Sequence, residues 1–395
     1  MARLWDKGGA FDDMVLRFTV GEDPVLDGRL VKHDVTASKA HARTLERAGF
    51  LSPDETSSLC DRLDELAASH ARGEWSISVE EEDVHTALEN RLGELGAKVH
   101  LGRSRNDQIL VALRLYLLEQ IAAARVLAHE VSEEIRLLAE REAGVGLPGY
   151  THLQRAMPSA VSDWAMAYAE EIRHSLALLD AAESLARLCP LGSAAGYGTP
   201  GLALDRAFTA EQLGMKVQEP VTAPQLSRGK AESAFAFALV TLLSDVGRLA
   251  SDLCLYNTAE FGFVSLPDEM TTGSSIMPQK RNPDVFELVR GHSGQATSDL
   301  AAILALTAKM PSGYHRDVQL MKSPLFRLVD RFTACFQVTG RAVGGLKFRR
   351  ERCEAALTPE LFAAEQAFEL VKSEGLSFRE AYRRVGASLA KTPLS

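Results

Sequence analysis

Along most of the chain, apolar residues recur at three- and four-residue steps. From Arg105 to about Glu142, Ile109, Leu113, Leu117, Ile121, Ala124 and Leu127 keep that spacing, and Asp107, Arg114, Glu119 and Glu133 fall largely between them. The pattern predicts an amphipathic helix of unusual length, roughly 50 Å at 1.5 Å per residue. Comparable patterns cover about 157–188, 228–259, 283–309 and 325–345. Strand-like alternation is scarce, and no strand–helix–strand rhythm appears. Helices this long must bury their apolar stripes on one another, so the expected fold is all-α with a long central helical bundle. Shorter helical patterns fill the first hundred residues, and a small tail region follows about position 346.

Glycine and proline clusters interrupt the helices at 144–154, 189–201, 265–275 and 309–317. Four polar stretches lie at or beside these breaks. "TTGSSIMPQKRNPDVFELVRG" (271–291) crowds Ser274, Lys280 and Asn282 between Gly273 and two prolines, Pro278 and Pro283. That predicts a shaped loop leading into a helix. "VHLGRSRNDQ" (99–108) sets Ser104, Arg105 and Asn106 at the start of the longest helix, where an N-terminus and a guanidinium both favour a carboxylate. "GYTHLQRAMP" (149–158) offers Thr151, His152 and Gln154 at the expected start of another helix, and "PSGYHRDVQLMKSP" (311–324) offers Tyr314, Gln319 and Lys322. Taken singly, each is equally well an N-cap, a solvated arginine or a structural histidine. Together they suggest one site for a small polyanion that must lose a proton.

Composition narrows the function classes. A formal net charge of −9 argues against general attraction to nucleic acid. No uninterrupted run of about 18 apolar residues is present, so no membrane span is expected. The N-terminal "MARLWDKGGAFDDM" lacks the charged-then-apolar order of a signal peptide. Five scattered cysteines without CxxC spacing suit buried thiols in a reducing cytoplasm better than disulfides or zinc. His85 and Glu89 stand four apart, but there is no HExxH and no third ligand nearby, so no metal is expected. The glycines form neither GxGxxG nor a P-loop, so no nucleotide cofactor is expected.

At 273–282, "GSSIMPQKRN" resembles the GSSxMPxKxN signature of the fumarase/aspartase superfamily. "GRSRNDQ" (102–108), "GYTHLQRA" (149–156) and the full 260–284 stretch are similar to its argininosuccinate lyase branch, in the right order over nearly the whole chain. The resemblance implies a three-domain subunit, divided here at 1–101, 102–345 and 346–395, and a cytoplasmic homotetramer. Each active site in that family takes segments from three subunits. It implies a carbon–nitrogen lyase that splits argininosuccinate reversibly into L-arginine and fumarate in arginine biosynthesis, with no cofactor. Ser274 then matches the general base, Lys280 and Asn282 the groups facing the dianion, and His152 with Glu287 a proton-handling pair. Ser104, Arg105, Asn106, Thr151 and Gln154 would hold the succinyl carboxylates. Tyr314, Gln319 and Lys322 would bind the amino-acid end, and Asp27 and Asp83 match acidic substrate-side positions.

The chain also departs from the family pattern. Leu101 stands where the family commonly has Thr, and "VTAPQLSRGK" (221–230) replaces the usual segment. There the family's substrate-contacting Arg falls on Gly229, flanked by Arg228 and Lys230. The tail after the signature loop is shorter than usual, as in a shorter bacterial form. Two other readings remain open: another fumarate-releasing aminosuccinate lyase of the same superfamily, or a non-catalytic structural homologue.

Overall fold

The computed structural model describes residues 12–390, so the expectation about residues 1–11 lies outside it. Five long helices form where the periodicity places them: Arg105–Arg141, Val161–Ala186, Lys230–Tyr256, Asp284–Thr307 and Lys322–Gly345. Leu113, Leu117, Ile121 and Ala124 are buried as their spacing requires. Asp107 and Arg114, which the pattern placed between the apolar positions, are buried too. Arg114 donates to Gln218 Oε1 and Ser227 Oγ, both at 2.6 Å, and also to the Leu188 carbonyl. A periodicity that treats every charge as solvent-facing misses such a side chain.

Contacts divide the chain into two compact units. One holds the described residues up to Val126 with Leu176–Thr241 and Gln295–Phe332. The other holds Leu127–Ser175, Leu242–Gly294 and the described residues from Thr333 onward. The first unit also carries the shorter helices expected near the N-terminus, Val31–Arg47, Pro53–Ala71 and Val84–Leu92. Their starts are legible locally. Ser52 and Glu55 close a capping box around Pro53, and the Asp83 side chain accepts from Thr86 N at 2.9 Å. In the second unit, Trp164 Nε1 and Tyr168 Oη both donate to Asp252, at 2.9 and 2.8 Å. The tail ends in two helices, Ala363–Glu374 and Phe378–Leu389, packed around a small core of Ala367, Ala381 and Val385.

Within Ala223–Tyr256 the chain is long and apolar enough to cross a membrane by composition alone. Phe235, Leu239, Leu242, Leu243 and Val246 are nevertheless fully buried inside the protein, so the run serves as core.

One element departs from expectation. Residues 149–158 do not begin a helix. Gly146–Thr151 and Gln154–Ala160 pair antiparallel as a hairpin, with a bulge between Gly149 and Tyr150, and the helix begins only at Val161. Pro148 lies opposite Pro158. A two-stranded ribbon tolerates proline because each strand has an open edge. His152 and Leu153 form the tip, with φ of +54° and +58°. A two-residue turn with both central residues in the left-handed region is normally a place for Asn-Gly.

Candidate functional site

The polar stretches fall into two sets, one in each unit. In the first unit, Ser104 caps the Arg105–Arg141 helix: its Oγ accepts from Asn106 N at 3.3 Å, and Asp107 Oδ1 accepts from Ser104 N at 2.9 Å. The other Asp107 oxygen accepts from Gly192 N at 3.0 Å and Ala194 N at 2.8 Å. One buried carboxylate therefore fixes the helix start against the 189–201 loop. Burial pushes the Asp107 pKa up to about 6, against the pull of those three amides.

Beyond that cap lies a pocket lined by Asp23, Asp27, Glu82, Asp83, His85, Arg105, Asn106, Arg228, Tyr314, Arg316, Gln319 and Lys322. Lys322 opens its helix, where the dipole disfavours a cation. It is 3% exposed and contacts Asp27 at 2.5 Å and Asp23 at 2.7 Å. Burial works against its charge, but Asp27 and Asp23 outweigh that and hold its pKa above the usual lysine value. The two acids fare worse. Burial, only partly offset by Lys322, raises Asp27 and pushes Asp23 up to about 7. Arg105 pairs with Asp83 and, at 3.0 Å, with Glu82. Burial would raise the Asp83 pKa, but His85 and Arg105 prevail and hold it low.

Tyr314 is partly exposed at the pocket. The Gln319 amide donates to Thr19 and Val20 carbonyls at 3.0 and 2.9 Å, and its oxygen accepts from Arg316 at 3.0 Å. Gln319 therefore ties its own turn to the N-terminal helix as well as lining the pocket.

Several pocket residues are not evident from sequence spacing. His85 Nδ1 bonds Asp34, and Asp34 accepts from Ser38, which in turn accepts from Arg103 at 2.7 Å. Burial disfavours the His85 cation, yet Asp34 and Asp83 raise its pKa above the ordinary value. His85 and Asp34 stand 51 residues apart, so no local pattern links them. Asp23 and Glu82 were likewise indistinguishable from surface acids.

The altered segment also resolves. Gly229 has φ of +83°, and a Cβ there would lie 2.1 Å from the Thr307 methyl. Position 229 therefore cannot carry the arginine of the family pattern in this conformation. Arg228 is buried instead, stacked over Tyr314 at 5.3 Å and donating to the Asn106 carbonyl at 3.2 Å, while Lys230 is exposed.

In the second unit, an isolated antiparallel bridge between Thr272 and Asn282 closes the base of the signature loop. The Thr272 hydroxyl bonds Asp284 in the first turn of the following helix, and Asn282 Nδ2 reaches Thr272 Oγ1 and Gly273 O at 3.4 Å. Asn282 is thus a strut of the loop. Ser274 Oγ accepts two backbone N–H bonds, from Ile276 at 3.3 Å and Met277 at 3.1 Å. Donors aimed at an oxygen favour its anionic form, so this hydroxyl sits in a small built oxyanion cradle. Lys280 is exposed on the same loop, and Glu287 is exposed in the helix turn below it. Thr151, His152 and Gln154 are exposed around the hairpin tip. Among the described residues no side-chain hydrogen bond joins His152 to Glu287. His152 is held by a turn whose backbone costs on the order of 1–3 kcal/mol per left-handed residue.

Known proteins resemble this chain in sequence and in fold. A family profile described as "Lyase" matches residues 9–298. An argininosuccinate lyase of Sorangium cellulosum is 45% identical over 99% of this chain and 91% of its own length. One of Thermotoga neapolitana is 38% identical over 97% of both chains. A solved EDDS lyase variant with bound fumarate superposes with a TM-score of 0.79 at 25% identity, over 96% of this chain and 76% of that one.

Two outcomes follow from the pocket. Gly229→Ala should lower the thermal midpoint, and Thr307→Ser, which removes the opposed methyl, should restore only the steric part. About 1–2 kcal/mol of left-handed strain should persist in the double variant. Full recovery in thermal melts would mean that φ is relaxed. For Asp23, the native pKa lies above the unfolded value, so between about pH 4 and 7 the native state binds more protons and its stability falls as pH rises. The stability of Asp23→Asn relative to the parent should therefore grow across that window. Denaturant titrations at pH 5 and 8 check this, and an equal difference at both would show that Asp23 is fully ionised throughout.

Proposed function

This chain belongs to the lyase family, and within it to the argininosuccinate lyases; on that premise we propose that it catalyses the reversible elimination of argininosuccinate to L-arginine and fumarate. The observation that carries the reading is the Ser274 hydroxyl in its two-amide cradle, on a loop that also bears Lys280. An unassisted serine is too weak a base at neutral pH. Two N–H donors and a nearby ammonium lower the cost of the alkoxide. As the base, Ser274 takes the proton on the succinyl carbon next to a carboxylate. The electron pair moves into that carboxylate, and the resulting dianion is stabilised by Lys280 and by the groups that hold the succinyl end. Collapse of the dianion breaks the carbon–nitrogen bond, and the departing guanidino nitrogen gains a proton. His152 assists this transfer, with Glu287 as the carboxylate that orients it. Ser104, Arg105, Asn106, Thr151, Gln154 and Asn282 hold or frame the succinyl carboxylates; Tyr314, Gln319, Lys322, Asp27 and Asp83 frame the amino-acid end.

The functional enzyme in this reading is a cytoplasmic homotetramer of three-part subunits, with each site completed by different copies. Physical support comes from the surroundings of the base. Ile276 and Met277, the residues whose amides hold Ser274, are 86% and 42% exposed, and Leu153 at the hairpin tip is 79% exposed. Water would screen the cradle and compete for the alkoxide, so the loop needs a cover. A neighbouring copy supplies one and buries these apolar side chains. The inert thiols fit the compartment: burial pushes Cys189 and Cys353 up to about 11.

Ser274→Ala should keep substrate binding and lower fumarate release from argininosuccinate by about 10²–10⁴-fold, the usual loss for a general base. Ultraviolet absorbance follows the product, and activity within about twofold of the parent would place the base elsewhere, with His152 next. The shared-site reading has its own test. Inactive Ser274→Ala and inactive His152→Asn subunits, mixed and allowed to exchange, should regain activity through hybrid sites that take neither altered segment. No recovery in hybrids verified by native mass spectrometry would place both residues of a site on one subunit.

A further inference from the structure

The hairpin that carries His152 is a poor structure to stand alone. Two isolated strands are marginally stable in water. The left-handed backbone at His152 and Leu153 adds strain that the surroundings must hold. Thr151, His152, Leu153, Gln154 and Arg155 are all exposed, so the tip gains little from burial. The position of His152 is therefore set lower down, where the strands meet the rest of the second unit. Much of that support comes from the tail. Arg350 donates to the Gly144 carbonyl at 3.0 Å, just before the first strand. Gly146, which opens that strand, faces a methyl of Leu357: a Cβ on the glycine would lie 2.5 Å from it. On the second strand Arg155 donates to the Ala356 carbonyl and the Thr358 hydroxyl oxygen, both at 3.4 Å. The Thr358 hydroxyl donates in turn to Glu360 at 2.6 Å.

The same stretch of tail is fixed at its other edge. Lys347–Phe348 pairs antiparallel with Val264–Ser265, and Arg349 N donates to the Phe263 carbonyl at 2.7 Å. Phe261 completes the circuit by meeting the Tyr150 ring edge-on at 5.6 Å. Residues 347–360 thus join the hairpin to the strand that precedes the signature loop. The two helices that follow have their own core of Ala367, Ala381 and Val385, so the hairpin contacts are concentrated in this one stretch. We propose that residues 347–360 form a strap that positions His152 for proton transfer, with Leu357 and Arg155 as its positioning residues. Leu357 presses on the start of one strand, and Arg155 holds the other in the second residue pair below the tip, opposite Tyr150. Neither touches the substrate. This assignment rests on the lyase reading given above, in which His152 serves the proton transfer.

Kinetics and amide exchange on the same variants test the strap. Misplacing a catalytic group by about 1 Å can cost about 10²-fold in rate. Leu357→Ala and Arg155→Met should each lower kcat/KM for argininosuccinate by about tenfold or more. Inhibition by L-arginine, which reports on the Lys322 pocket, should stay within about twofold of the parent. Gly146→Ala, whose new methyl must displace Leu357, should be impaired less, and combined with Leu357→Ala it should recover part of the lost rate. Hydrogen exchange read by mass spectrometry should quicken at 146–160 in the impaired variants and keep the parent's level through the Val161–Ala186 helix. Activity within about twofold of the parent in both single variants, or unchanged hairpin exchange in both, would overturn the strap. So would loss of L-arginine inhibition in step with activity, because a general disturbance of the fold then explains the defect. If Leu357→Ala fails to fold, Arg155→Met, at an exposed position, decides alone. A parent enzyme that leaves argininosuccinate intact would instead disprove the lyase reading, and hairpin exchange would still decide whether the strap holds the hairpin.

Discussion

Five apolar stripes, each on a helix of more than twenty residues, are too long to leave in water, and their burial is the constraint on which the rest of the structure depends. At about 25 cal/mol per Å² of apolar surface, no other contribution in an all-helical chain approaches it. Once the stripes are packed, the chain's polar chemistry is displaced to helix ends and the loops entering them. Ser104 caps one long helix, Lys322 opens another, and the signature loop feeds a third at Asp284. Helix ends also supply unpaired backbone N–H groups, which suit a site for carboxylates.

The same packing creates the electrical problem of the pocket. Lys322, Asp27, Asp83, His85 and Arg228 are all buried, and their charges must be settled among neighbours rather than in solvent. Paired groups settle well: Asp83 stays low beside His85 and Arg105, and Lys322 stays charged between two acids. Asp23 and Arg228 settle less well: burial pushes the Asp23 pKa up to about 7 despite Lys322, and it lowers that of Arg228. On the signature loop the device is neutral instead, with two amides turned toward one hydroxyl.

Sequence reasoning recovered what depends on local repetition. The five helix spans were placed to within a few residues, because a sustained 3.6-residue period has few competing explanations. The signature loop stood out because its residue types conflict with any regular element. The hairpin at 146–160 was missed since it has no clean alternation and its turn uses His-Leu, which carries none of the usual turn chemistry. The burial of Arg114 and Asp107 was missed because their partners, near 188–227 and 192–194, are distant in sequence. The His85–Asp34 pair and the Arg228–Tyr314 stack are likewise tertiary facts. Gly229 was legible only as a gap. That Arg228 lines the pocket while Lys230 stays exposed is likewise not visible in the letters.

The central claim is that two sets of residues, one around Ser274 and one around Lys322, act on a single substrate molecule drawn from different copies of the chain. The most direct test is a crystal structure of Ser274→Ala protein soaked with argininosuccinate. The account predicts one intact substrate per site, with its succinyl carbon facing position 274 of one subunit and its amino-acid end in the Lys322 pocket of another. Substrate contacting only one of the two sets, or lying away from position 274, would contradict it.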